Sequence, residues 1–303
     1  MQIEILKQKS IFSLLLYGTR PKTLTASAFP VILGMLLARN CGYYSISVYL
    51  CTLFSGIFLQ IGANLANDYF DGKNGRDTKK RLGPLRLGSS NLISKKTLLL
   101  STIFSFTIAA LFAIPLVQKG GNIIIFLTLL GVFLGFYYSV GKYSLANTGL
   151  SNFVIFTVFG PLSTLMTYYL QTGIYKTEVA FIGIIPGCLS LMLFAMNNLR
   201  DIEEDRSNGK NTLVVRFGFD WGKREYLISL FTSWLIIPMC LMIYNTPIIT
   251  LLPLILIPKG VKIGKKILNA KSAKDITVLF EETAKYNLLY ALFTIISWRI
   301  ASL

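Results

Sequence analysis

The sequence predicts an all-α fold, a polytopic bundle of about nine transmembrane helices forming a single membrane domain over residues 1–303, and three observations carry that prediction. Apolar residues make up 53% of the 303, and mean hydropathy is +0.59, beyond what a soluble domain tolerates. They gather in nine runs, most of them long enough to cross ~30 Å of hydrocarbon. With the N-terminus placed in the cytoplasm, all of the 30 lysines and arginines except Arg39, Lys119, Lys176 and Arg299 fall on the cytoplasmic side, as positive-inside sorting requires.

Along the chain, Met1–Tyr17 is basic with an apolar Ile11–Tyr17 run and lacks a convincing cleavage site. Residues 1–20 are therefore expected to lie as a cytoplasmic membrane-surface segment. The apolar runs follow at Thr23–Ala38, Ser47–Asn67, Thr97–Val117, Asn122–Val140, Leu150–Leu170, Glu178–Leu199, Tyr226–Tyr244, Thr246–Pro258 and Tyr286–Ala301. In the eighth, Pro247, Pro253 and Pro258 punctuate a short stretch that is expected to kink or to continue through Val261–Ile263. The basic segment Lys259–Lys285 contains Ile276, Val278 and Leu279 at spacing that suits an interfacial helix. An odd number of spans puts the C-terminus outside.

Net charge is +16, but the positive charges are spread over loops between spans rather than gathered on a soluble face. That excludes nucleic acid as the partner and points to anionic lipid headgroups, with a minority left for a polyanionic substrate. There is no histidine, which removes imidazole metal sites and the usual general base. Cys41, Cys51, Cys188 and Cys240 lack paired spacing and read as small packing residues.

Only 14 residues are acidic, and two clusters concentrate them. Asn67-Asp68-Tyr69-Phe70-Asp71 and Asn197-Asn198-Leu199-Arg200-Asp201 through Asp205 each close a long apolar run. A carboxylate costs ~2.5–3.5 kcal/mol or more at the bilayer centre, so acids at helix ends face water, metal or a charged substrate. Asn67 and Asp71 fall in register with Asn197 and Asp201, which suggests that the second and sixth helices play equivalent parts. Asp68 and Asp71, and likewise Asp201 and Asp205, project from one helix face if each helix runs on into its loop. Asp68, Asp71, Asp77, Asp201 and Asp205 would repel one another without cations, and Mg²⁺ takes carboxylate oxygens together with phosphate oxygens. Lys73, Arg76, Lys79, Lys80, Arg81 and Arg86 in one loop, with Arg200, Arg206 and Lys210 in the other, add the cations a diphosphate needs. Glu203, Glu204, Lys79 and Lys80 read as ordinary solvated charges. Gly72, Gly75, Gly83, Gly88 and Gly209 allow these long loops to turn closely.

These motifs resemble the UbiA superfamily of intramembrane aromatic prenyltransferases, with Asn-Asp-x-x-Asp after the second helix and Asp-x-x-x-Asp after the sixth. The stretches that carry the resemblance are Arg20-Pro21-Lys22-Thr23-Leu24, Asn64-Leu65-Ala66-Asn67-Asp68-Tyr69, Arg81-Leu82-Gly83-Pro84-Leu85-Arg86, Tyr168-Tyr169-Leu170-Gln171 and Asn208-Gly209-Lys210-Asn211-Thr212. Many members place a third aspartate where this chain has Gly75. The longer spacing to Asp77 is similar to the branch that prenylates 1,4-dihydroxy-2-naphthoate.

The resemblance implies a bundle opening sideways to lipid under a cytoplasmic cap, in a bacterial inner membrane, with the N-terminus and the active site cytoplasmic. It implies Mg²⁺ held by Asp68, Asp71 and Asp77 on one side and by Asp201 and Asp205 on the other, gripping a polyprenyl diphosphate. Lys73, Arg81, Arg86, Arg200 and Lys210 are the candidates to neutralise the diphosphate, with Asn67 and Asn198 as hydrogen-bonding groups. Tyr138, with Phe136, Tyr137 or Tyr168, is a candidate to face an allylic cation, and Arg20 or Lys22 to receive the acceptor carboxylate. Other UbiA-type acceptors, 4-hydroxybenzoate or homogentisate, and more remotely an organic-anion transporter, are the rival readings. Donor chain length and oligomeric state are not written in the motifs.

Overall fold

Each of the nine apolar runs overlaps helix in the computed structural model, which describes residues 8–73, 82–83, 86–90, 92–138, 140, 144–145 and 148–301. No strand occurs among the described residues. Helix α1 (Ile11–Gly18) starts where the Ser10 hydroxyl accepts from the Ser13 amide. Pro21 disfavours the right-handed helical region for Arg20, and the chain turns there into α2 (Pro21–Arg39) with Arg20 at φ 52°. Then come α3 (Ile46–Lys73), α4 (Lys95–Gly120), α5 (Asn122–Tyr137), α6 (Leu150–Thr172) and α7 (Thr177–Arg200). Two short helices, α8 (Ile202–Ser207) and α9 (Leu213–Phe217), lead to α10 (Phe219–Tyr244). A 3₁₀ segment, Ile248–Leu256, runs into α11 (Ile257–Asn269), and α12 (Ala273–Ile300) follows.

Among the described residues α3, α4, α6, α7 and α10 are long and apolar enough to cross a membrane, and α1 with α2 makes a sixth such unit if taken as one broken span. Helix α5 is apolar but shorter. The eighth run does continue into helix, as its punctuation allowed. The amphipathic helix, however, is α11, which runs along α10 from Trp234 to Lys223, and not the segment around Ile276. Ser272 and Asp275 form a capping box that starts α12 at Ala273, so Ile276 and Leu279 are buried in the first turns of a long helix while Val278 faces outward.

Two groups of helices pack around α2, with α3, α4 and α5 on one side and α7, α10 and α12 on the other. The second group holds the main core, around Leu33, Met192, Leu199, Tyr226 and Tyr290. Its buried tyrosines keep their hydroxyls satisfied: Tyr290 donates to Ser233 O at 2.8 Å, and Trp234 Nε1 donates to Tyr286 Oη at 2.7 Å. In the first group Phe104, Leu111, Phe126, Leu129 and Phe133 point outward, as lipid-facing residues do. Helices α6 and α7 touch backbone to backbone, because a Cβ on Gly160 would stand 2.6 Å from Gly187 Cα. All four cysteines are free; Cys188 and Cys240 are buried, whereas Cys41 is exposed rather than packed.

Candidate active site

The first acidic cluster stands on the last two turns of α3, so the helix does run on into the loop and carries Asp68 and Asp71 on one face. Both are buried, at 1% and 2% exposure. The chain then folds back onto them. A Cβ on Gly88 would stand 2.0 Å from Asp68 O, and one on Gly72 would stand 2.3 Å from the Gly88 carbonyl carbon, so only glycine permits this contact. It brings the Leu87 amide to donate to Asp68 Oδ2 at 3.1 Å. It also brings Arg86 Nη1 to donate to Asn67 Oδ1 at 3.0 Å and to pair with Asp71. From the turn between α1 and α2, Arg20 Nη2 donates to Asp68 Oδ1 at 2.5 Å. Asn64 Nδ2 fixes that turn to α3 by donating to Thr19 O at 2.9 Å.

At the end of α7 the cations are neighbours in sequence. Arg200 grips Asp201 with Nε on Oδ1 at 2.7 Å and Nη2 on Oδ2 at 2.8 Å, a two-pronged bond. Its guanidinium lies over the Phe280 ring, 5.4 Å from the centroid, and faces Gly83. Asp205, on α8, pairs with Lys210 at 2.9 Å through a turn that Gly209 makes at φ +66°. Burial pushes the Asp205 carboxyl above the ordinary carboxylate range; Lys210 pulls it back and Asp201 adds to the rise. Burial, with Arg20 close by, lowers Arg86 from its usual value.

Both ends open on one cavity of about 100 Å³. Asn67 and Asp71 line one wall, and Asn197, Asn198, Asp201 and Asp205 line the other. Arg20, Arg86, Arg200 and Lys210 lie between them, with Tyr138, Phe194 and Thr212 completing the lining. Asp68 is not part of the lining and reaches the cavity through Arg20. The Asn198 Nδ2 is buried and has no hydrogen-bond partner among the described residues. Asp77, Arg81 and the side chains of Lys22 and Lys73 lie outside the described residues.

Four expectations change in detail. Tyr168 is at the other end of the bundle, where its hydroxyl contacts Cys41 Sγ at 3.6 Å beside Lys176, because α6 carries it across the membrane from the acidic ends. Tyr137 stacks on Phe133, and Phe136 packs against Phe70 and Phe106, so Tyr138 alone of these aromatics lines the cavity. Glu203 is exposed and pairs with Arg206 at 3.5 Å, as a solvated charge should, but Glu204 is half-buried with one oxygen sealed from solvent. Phe194 and Thr212 were missed, since an apolar residue within an apolar run carries no signal and Thr212 reads first as the cap of α9.

Carboxylate oxygens are the donors that Mg²⁺ takes, and a stray amide donor suits a phosphate oxygen, so the donor chemistry fits a cation with a diphosphate. Among the described residues no three acidic side chains already stand close enough to hold one ion; each is engaged by a guanidinium or ammonium group instead. Buried carboxylates without such partners would cost several kcal/mol.

The model of the UbiA prenyltransferase family matches residues 27–289. The chain belongs to this family. Among its UbiA relatives, the 1,4-dihydroxy-2-naphthoate octaprenyltransferase of Escherichia coli is 34% identical over 236 residues, 76% of this chain and 75% of that protein. The protein of the same name from Bacillus subtilis is 31% identical over 212 residues, 70% of this chain and 68% of that protein. A UbiA homologue from Archaeoglobus fulgidus, solved with DMAPP and Mg²⁺, superposes with a TM-score of 0.61 at 15% identity, covering 92% of this chain and 98% of that one. That likeness shows the UbiA fold.

Proposed function

We propose that this UbiA-family prenyltransferase moves a polyprenyl group from its diphosphate to 1,4-dihydroxy-2-naphthoate, releasing diphosphate and CO₂ and giving demethylmenaquinol for menaquinone biosynthesis. The observation that carries the reading is the single cavity onto which two asparagine-led acidic helix ends and four cations converge. The names of the relatives support the acceptor.

Asp68, Asp71, Asp201 and Asp205, with Asp77, would hold Mg²⁺, which when bound neutralises the departing diphosphate. Arg86, Arg200 and Lys210 line the cavity and supply fixed positive charge to the same oxygens, and Lys73 and Arg81 are assigned to that task on the adjoining loop. Asn198 offers its unused Nδ2, and Asn67 is held in place by Arg86. As the allylic C–O bond breaks, the electron pair leaves with the diphosphate, and we assign Tyr138, the aromatic candidate that lines the cavity, to stabilise the cation. The electron-rich ring carbon that bears the carboxylate forms the new C–C bond, and its aromatic electrons return when the C–CO₂ bond breaks, so no general base is required. That suits a chain without histidine. Arg20, or Lys22 beside it, receives the acceptor carboxylate, and the prenyl tail lies among the apolar helices.

We place the protein as one domain of nine spans in a bacterial inner membrane, with the acidic ends and their loops forming a cytoplasmic cap. Purified protein given Mg²⁺, a polyprenyl diphosphate and a panel of aromatic acceptors tests the reaction by product mass. Prenylated naphthoate that has lost its carboxylate is expected. Comparable transfer to 4-hydroxybenzoate, or a product that keeps the carboxylate, overturns the acceptor assignment.

A further inference from the structure

Helix α11 turns Gly260, Ile263, Gly264 and Ile267 into the bundle and Lys259, Lys262, Lys265 and Lys266 directly away from it. Of these four only Lys266 is ion-paired, to Glu282 of α12 at 2.7 Å; Lys259, Lys262, Lys265 and the exposed Lys285 of α12 have no carboxylate partner among the described residues. Gly260 lies against Tyr286 and Trp234, which puts Lys259 level with Lys285.

With α12 taken as the last of the nine proposed spans, that level lies deep. On α12 the stretch free of charge runs only between Lys285 and Arg299, about 20 Å at 1.5 Å per residue. It falls ~10 Å short of the hydrocarbon thickness. Outward-facing ammonium groups do not sit against acyl chains, and a span this short is met by snorkelling and by local thinning of the bilayer. Leu288 and Leu292 of α12, on the same helix face as Lys285 and one and two turns deeper, are exposed apolar side chains suited to acyl contact below a charged headgroup. Lys223 secures the corner by donating to Leu268 O at 3.1 Å and Ala270 O at 3.3 Å at the end of α11.

We infer that the corner made by α11 and the first half of α12 is a docking site for anionic phospholipid headgroups, which Lys259, Lys262 and Lys285 draw inward from the plane of the surrounding leaflet. The occupant is a lipid and not a soluble anion because the cations are outward-facing, at membrane level and flanked by apolar side chains. The site is separate from the acidic cavity and does not depend on the reaction proposed for it.

Trp234, whose ring lies against Gly260, is a reporter beside the site. In a Trp221→Phe/Trp298→Phe background, the protein is placed in phosphatidylcholine vesicles containing either brominated phosphatidylglycerol or the same fraction of brominated phosphatidylcholine. Quenching of Trp234 is expected to favour the anionic lipid. Lys259→Gln/Lys262→Gln/Lys285→Gln should reduce that preference about tenfold, while the corresponding triple Arg variant keeps it. Raised salt and the single Lys262→Gln change should weaken it in the otherwise intact protein. Equal quenching by the two lipids in the parent, or a preference that survives the Gln substitutions, overturns the site.

Discussion

At the end of α3 the two carboxylates are buried and take their cations from elsewhere in the chain, Asp68 from Arg20 on the preceding turn and Asp71 from Arg86 on a loop that doubles back. At the end of α7 the cations are close in sequence, Arg200 beside Asp201 and Lys210 one turn beyond Asp205. The first end is thus assembled by tertiary contact and the second by local turns. Two clusters that look alike as sequence are held by different kinds of interaction, and they should respond differently to substitution.

The largest effect should not distinguish them. Asp68→Asn and Asp201→Asn are each expected to lower prenyl transfer on the order of a hundredfold or more, since the proposed function needs both ends around one diphosphate. Initial rates with saturating Mg²⁺ check this, and a loss of less than about threefold at either position would break the equivalence of the two ends.

Stability should separate them. Arg86→Met leaves Asp71 buried without its cation and is expected to cost about 3 kcal/mol. Lys210→Met should cost nearer ~1 kcal/mol, because Asp205, already raised by burial, relieves its charge by taking up a proton. Thermal unfolding in detergent, at fixed protein and lipid, compares the pair. The glycines give a parallel contrast. Gly88→Ala drives a Cβ into the Asp68 carbonyl and should cost about 2–3 kcal/mol, whereas Gly209→Ala meets no atom within 4 Å and pays only for its positive φ, about 1 kcal/mol.

Acidity sharpens the comparison further. Because the folded Asp205 carboxyl is raised, ionising it opposes folding, so without Mg²⁺ its contribution to stability declines as pH rises from the ordinary Asp range through the raised folded value. In the proposed site protons also compete with Mg²⁺ at Asp205. Mg²⁺ affinity measured by calorimetry should therefore begin to fall, on acidification, at a higher pH than an ordinary aspartate would give, and Asp205→Asn should remove that early decline. The smallest effect belongs to Glu203→Gln, an exposed charge 3.5 Å from Arg206, with activity expected within about twofold and stability within ~0.5 kcal/mol.

How much of this was legible beforehand follows from the range of the interactions. Hydropathy and charge are sums over neighbours in sequence, so the nine helical runs could be read directly. The pairing of Arg200 with Asp201 and of Lys210 with Asp205 was within reach of spacing, and so was the placing of Asp68 and Asp71 on one helix face. The pairing of Arg20 with Asp68 lies beyond the reach of spacing, and the motif around Arg20 points only to an acceptor carboxylate. Gly72 and Gly88 read in sequence as permissive turns, while their use, a close approach of loop to helix backbone, needs both partners in place.

The sequence by itself determined an all-helical membrane bundle, two acidic helix ends and the family to which their motifs belong, because periodicity, hydropathy and short motifs are local properties of a chain. Only the tertiary structure decided which cation meets which carboxylate, that Tyr138 lines the cavity while Tyr168 serves the opposite end, and that α11, not the segment around Ile276, is the amphipathic helix. Those outcomes depend on helix direction across the membrane and on backbone approach between segments far apart in sequence, and burial then favours pairings that give Asp68, Asp71, Asp201 and Asp205 each a counter-ion.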